Sequence, residues 1–126
     1  MNAFVELFGK NPTPKEVQDW LGKVRWASVL HYWSTGYIDE NDECKEFSTT
    51  TRCNLPSVRT KEDEEKFIET LKSIDYNDGF GTQELFGNIV FNDFTWLERR
   101  EYDGSEWWEH EIMPIEPDWA KMQEED

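Results

Sequence analysis

The chain has 126 residues and 15.1 kDa, with 13 Lys and Arg against 28 Asp and Glu, a net charge of −15 and a pI near 4.4. That is the length of one domain, and an aromatic content of 15% separates it from acidic disordered chains, which lack large rings. Phosphate contact needs a basic face, so the charge excludes direct binding to nucleic acid or to an anionic membrane.

Met1 to Lys10 carries Glu6 in its only apolar run and no basic region before it, so no signal peptide is expected. No window approaches ~20 apolar residues, and no membrane span is expected. Cys44 and Cys53 are the two cysteines, and the eight residues between them are compatible with a disulfide. So few thiols in a short chain fit the reduced cytoplasm of a host cell better than a secreted scaffold.

The first predicted helix opens at Thr13-Pro14-Lys15-Glu16, which supplies an N-cap, a proline at the first helical position and a capping-box glutamate. Val17, Trp20, Leu21 and Val24 then share one helical face. The run Arg25 to Tyr37 suits a helix closed by Gly36 or a strand, and helix is taken, so that helix covers about residues 13–36. Asp39 to Glu43 reads as an acidic turn, and Ser48-Thr-Thr-Thr51 with Pro56 as a loop or an edge strand. Thr60 restarts a helix over about residues 60–74, with Asp63 at the capping-box offset and Phe67, Ile68, Leu71 and Ile74 as its apolar stripe.

After a turn at Asn77-Asp78-Gly79, residues 85–113 read as a three-stranded antiparallel meander, and residues 118–126 as an acidic end. Asn92-Asp93 is taken as a two-residue turn, and Asp103-Gly104 is a strong hairpin signal. Those turns pair Ile89 with Trp96, Arg100 with Trp107, Arg99 with Trp108, Leu97 with His110 and Glu101 with Glu106. Leu85, Ile89, Phe91, Phe94, Trp96, Trp107 and Met113 then form the core face. The other face carries Phe86, Val90, Leu97, Trp108 and Ile112 among carboxylates. It reads as an interaction surface or as a layer buried under the N-terminal segment. The predicted fold is α+β, with two or three helices packed on the meander in one domain over residues 1–126.

Catalytic and metal chemistry finds little support. His31, His110, Cys44 and Cys53 lack the close pairing of zinc ligands, and the Asp39-Asn41-Glu43 run lacks the glycine and glutamate of a calcium loop. Gly79-Phe-Gly81 begins like a dinucleotide fingerprint and lacks its third glycine. Glu98 facing Glu109 resembles an acid dyad, but carboxylates are abundant enough to pair by chance. Neither enzyme activity, metal nor cofactor is expected.

The charge remains. Acids crowd the chain from Glu101 onward and again from Asp39 to Glu46. Carboxylates spaced along a rigid sheet present charge roughly as phosphates do, and interleaved Trp and Tyr can take the places of stacked bases. The partner-binding candidates are therefore Asp39, Glu40, Asp42, Glu43, Glu101, Asp103, Glu106, Trp107, Trp108, Glu109 and Glu111. On this reading charge reversal at Glu106, Glu109 and Glu111 leaves the fold intact, and Trp108 is a central binding ring.

Gly81-Thr-Gln-Glu-Leu-Phe-Gly87 and Glu101-Tyr-Asp-Gly-Ser-Glu-Trp-Trp108 resemble a hairpin found in small acidic proteins of bacteriophages and plasmids. The resemblance covers about the C-terminal third of the chain. It implies an inhibitor of host defence, of the anti-CRISPR or anti-restriction kind, some of which imitate nucleic acid. The expected partner is a basic nucleic-acid-binding protein of the host. Alternatives are an immunity-type neutraliser of a cationic toxin, and a small hydrolase or ligand-binding domain.

Overall fold

The computed structural model describes residues 1–77 and 82–114. Its elements, in chain order, are α1 (Ala3–Phe8), α2 (Pro14–Lys23), β1 (Val24–Ile38), β2 (Cys44–Leu55), α3 (Lys61–Lys72), β3 (Leu85–Phe91), β4 (Trp96–Tyr102) and β5 (Ser105–Glu111). The architecture is α+β, and the sheet has five antiparallel strands in the order β2-β1-β3-β4-β5, not three. The Asp78-Gly79 part of the expected turn and the acidic end at 118–126 lie outside the described residues.

The helices begin where side chains satisfy their free amides. The Asn2 side-chain oxygen Oδ1 accepts from the backbone N–H groups of Phe4 and Val5 at 3.0 and 3.1 Å, opening α1, which the sequence reading did not anticipate. Thr13 Oγ1 accepts from Glu16 N at 3.1 Å to open α2. At α3 the capping box is complete: Asp63 N donates to Thr60 Oγ1, and Thr60 N donates to the Asp63 carboxylate. Phe4, Leu21, Phe67, Ile68 and Leu71 carry the helices into one core with Val29, Cys53, Leu55, Leu85 and Ile89 of the sheet.

The helix expected to continue to residue 36 ends at Lys23, and residues 24–38 are the central strand β1 instead. Burial there alternates, with Ala27 and Val29 covered and Trp26 and Ser28 exposed, which is a strand's period. The β-branched and aromatic side chains of this run suit the pleat, and Ser48-Thr-Thr-Thr51 pairs with it from His31↔Thr51 to Ser34↔Ser48. The edge-strand reading of Ser48 to Thr51 therefore holds. The turn between the strands is tied by Asp39, whose carboxylate accepts from Asn41 N and Glu43 N at 2.9 Å each. Because β1 pairs with β3 only as far as His31↔Leu85, the distal part of the β1–β2 hairpin extends beyond the sheet as a two-stranded arm.

The β4–β5 register is the expected one, from Trp96↔Glu111 to Tyr102↔Ser105. The β3–β4 register is not. Ile89 pairs with Leu97 and Val90 with Trp96, because the loop holds three residues rather than two. Phe91 N donates to Thr95 O at 2.8 Å, and Phe94 takes φ 65°. This is a turn closed by a bulge in which a left-handed residue adds one position. A one-residue slip inverts every face after it. Phe94, Trp96, Trp107 and Met113 thus leave the expected core face, while Leu97 and Trp108 join the core.

Gly87 lets β1 and β3 meet. Its φ is 143°, and a Cβ there would lie 2.1 Å from the Ser28 carbonyl oxygen, so no side chain fits.

Candidate functional site

The helices cover one face of the sheet and leave the other open among the described residues. That outer face is built in rows across the strands. One row runs Trp26, Val90, Trp96, Glu111, and the next runs Ser28, Asn88, Glu98, Glu109. Leu30 pairs with Phe86, and Arg100 with Trp107, to extend the face toward the arm. Rings therefore lie in the middle and carboxylates gather at the β4–β5 side. Trp26, Tyr32, Phe86 and Trp107 are all exposed, Trp107 to 38%.

The polar groups of this face are held in place. Trp107 Nε1 donates to Glu109 Oε2 at 3.0 Å. Arg100 reaches Glu111 at 2.5 Å and Glu98 at 3.0 Å, and the hydrogen bond and charge of Glu111 hold its guanidinium above the ordinary pKa. Glu98 and Glu109 do pair across β4 and β5, as the hairpin register requires, and each has a donor beside it.

Two expected surface residues are inside. Glu106 is 6% exposed, and its carboxylate accepts from Glu84 N at 2.9 Å, Leu85 N at 3.0 Å and Arg99 Nε at 3.0 Å. Reversing its charge would strand these donors, so the expectation that Glu106 tolerates reversal is corrected. Trp108 packs against the core with its ring under the Arg99 guanidinium, 5.2 Å from centroid to Cζ, and the Tyr76 ring meets the same cation at 5.2 Å. Trp107 is the exposed ring of the pair. Arg99 also bonds Glu6 at 2.5 Å, and Tyr76 Oη donates to Glu6. The layer read as an interaction surface or as buried under the N-terminal segment is split: Leu97 and Trp108 pack against the core, whereas Phe86 and Val90 lie on the open face and Ile112 is exposed.

Burial opposes the Arg99 charge, but the hydrogen bond and charge of Glu6, with the hydrogen bonds of Glu106 and Tyr76, outweigh it and raise its pKa. Burial and then the Glu6 contact raise Tyr76 well above its ordinary 10. The sequence reading missed this network. The signal was present, since Arg99 opposite Trp108 and Glu101 opposite Glu106 make Arg99 and Glu106 diagonal neighbours.

The acidic candidates do not form one patch. Asp39, Glu40, Asp42 and Glu43 sit at the tip of the arm, where Lys45 bonds Glu43 at 3.0 Å. Glu101, near the end of β4, and Asp103, in the β4–β5 turn, lie at the same end of the sheet, because β1 and β4 run parallel to one another through β3. The arm carries its tip roughly 20 Å further out, at about 3.3 Å per residue. Only Trp107, Glu109 and Glu111 of the candidates share the outer face.

Cys44 and Cys53 are both free; Cys44 is exposed and Cys53 buried. They lie on opposite faces of one extended strand, so they cannot bridge. A cavity of about 510 Å³ lies where the arm leaves the sheet, lined by His31, Trp33, Thr49, Asp75, Tyr76, Asn77 and Glu84. His31 Nε2 lies 3.2 Å from Glu84 Oε1 there, with no serine or cysteine among the described lining residues. Among the described residues no three His, Cys, Asp or Glu side chains converge to hold a metal, and no helix is long and apolar enough to cross a membrane. Comparison with protein families, curated proteins and solved structures finds no match to this chain.

Proposed function

We propose that this protein is a non-enzymatic inhibitor that occupies the nucleic-acid-binding surface of a basic host-defence protein. The observation that carries the reading is the helix-free face, where Trp26, Phe86, Trp96 and Trp107 stand beside Glu98, Glu109 and Glu111. A groove built for nucleic acid offers cations for phosphates and flat surfaces for bases. This face meets both with carboxylates and rings in fixed rows, on a chain of net charge −15.

The test is competition. A basic nucleic-acid-binding protein captured from bacterial lysate should lose its DNA or RNA in the presence of this chain, and the complex should weaken steeply with salt. Glu109→Lys combined with Glu111→Lys should slow association at least about tenfold, since those charges steer the encounter. Trp107→Ala should instead speed dissociation, and Trp108→Ala should act on stability. A complex insensitive to salt, or one that leaves nucleic acid bound, overturns the reading. Recovery of a single cationic toxin would favour the immunity-type alternative.

A further inference from the structure

Strand β2 is an edge of the sheet, and its outer side has no partner among the described residues. It runs twelve residues without a proline, and its ladder with β1 is in continuous register from Ala27↔Leu55 to Ile38↔Cys44. Such an edge is a template for another strand unless something blunts it. We propose that β2 pairs antiparallel with β2 of a second copy of this chain, joining two sheets into one.

The hydrogen-bond phase selects how. Tyr32 N donates to Glu84 O, and Asp39 N donates to Glu43 O. Even-numbered residues of β1 therefore direct their backbone groups toward β3, and odd-numbered ones toward β2, because these groups alternate sides along a strand. Trp33 pairs with Thr49, so the odd-numbered residues of β2 are spent on β1. Cys44, Glu46, Ser48, Thr50, Arg52 and Asn54 point their N–H and C=O outward. Two outward positions must meet in each bonded pair of an added strand.

Overlap of nearly the whole strand then sets Cys44 opposite Asn54, Glu46 opposite Arg52 and Ser48 opposite Thr50, with Thr49 on the two-fold axis. Glu46 and Arg52 are both exposed on the helix-free face, so each junction carries two opposite-charge pairs. Sliding the strands by two residues either way loses both pairs. The joined sheet keeps its two helix-free faces on one side, because the axis stands perpendicular to it.

Each copy carries −15, so like-charge repulsion opposes the junction and added salt should tighten it. That is the opposite sign to the salt dependence of an acidic surface on a basic partner.

The experiment is sedimentation of the full chain over a wide range of concentration. The mass should rise from 15.1 kDa toward twice that value. Glu46→Arg and Arg52→Glu should each weaken self-association at least about tenfold. An equimolar mixture of the two variants should restore it, because both cross-strand pairs of the mixed dimer then carry opposite charges again. Thr50→Pro should abolish it while circular dichroism stays native, since the Thr50 N–H points outward and not to β1. A monomer at every concentration overturns the proposal. So does a dimer that tolerates Thr50→Pro, which would place the contact elsewhere.

Discussion

Adjacent arginines on β4 live in different solvents. The Arg99 side chain is 1% exposed and closes a circuit with Glu6, Glu106 and Tyr76, whereas Arg100 lies on the open face beside Glu98 and Glu111. A buried ion pair adds little against a well-packed apolar substitute, but removing one member leaves the others charged and dry. Arg99→Leu strands two carboxylates and should cost roughly 3–5 kcal/mol, read as a lower urea midpoint. Arg100→Leu removes only solvent-screened contacts and should leave the midpoint nearly unchanged. Composition conceals such a distinction. Both arginines look alike in the chain, and only the parity of the strand tells them apart.

At the scale of elements, legibility followed how local each signal is. The caps at Thr13 and Thr60 and the Asp103-Gly104 hairpin depend on neighbours within four residues, and all three form, although at Thr13 Glu16 accepts from the hydroxyl instead of closing the expected box. Strand β1 depends on residues far along the chain. Trp26, Val29, Leu30 and Trp33 fit a helical stripe as well as a pleat, and only pairing with β2 and β3 decides between them. The outer face was half legible for a related reason: its β3 residues were placed correctly, and one extra loop residue inverted those of β4 and β5. That residue, Phe94, holds a left-handed conformation at φ 65° that glycine adopts freely, with its exposed ring under the Arg25 guanidinium. Phe94→Gly should relieve about 1 kcal/mol of backbone strain and forfeit part of that in the lost cation–π contact. The expected net is a small rise in the denaturation midpoint, whereas Phe94→Val should lower it, because a β-branched residue resists positive φ.

For the molecule as a whole, alkali is the expected weakness. Burial pushes the Cys53 thiol from 9.0 up to about 12, and Tyr76 is raised above 10 by burial and by Glu6. Both groups hold their protons more tightly folded than unfolded. Their contribution is complete below the unfolded values and is lost as pH climbs through the window from about 9 upward. From pH 9 toward 12 the Cys53 contribution alone falls by on the order of 1 kcal/mol per pH unit. Denaturation followed against pH should show that decline, and Cys53→Ala should flatten it while lowering stability at neutral pH by leaving a small cavity. The position of β1 has a further consequence, for the order of assembly. Its local partner, β2, follows directly in the chain, but its other partner, β3, arrives only after α3. During synthesis the first hairpin must therefore wait with both edges open until residue 91 has emerged. Pairing across so long a separation raises the contact order and slows the final closure of the sheet. Over that interval the nascent chain is most exposed to pairing with the wrong strand.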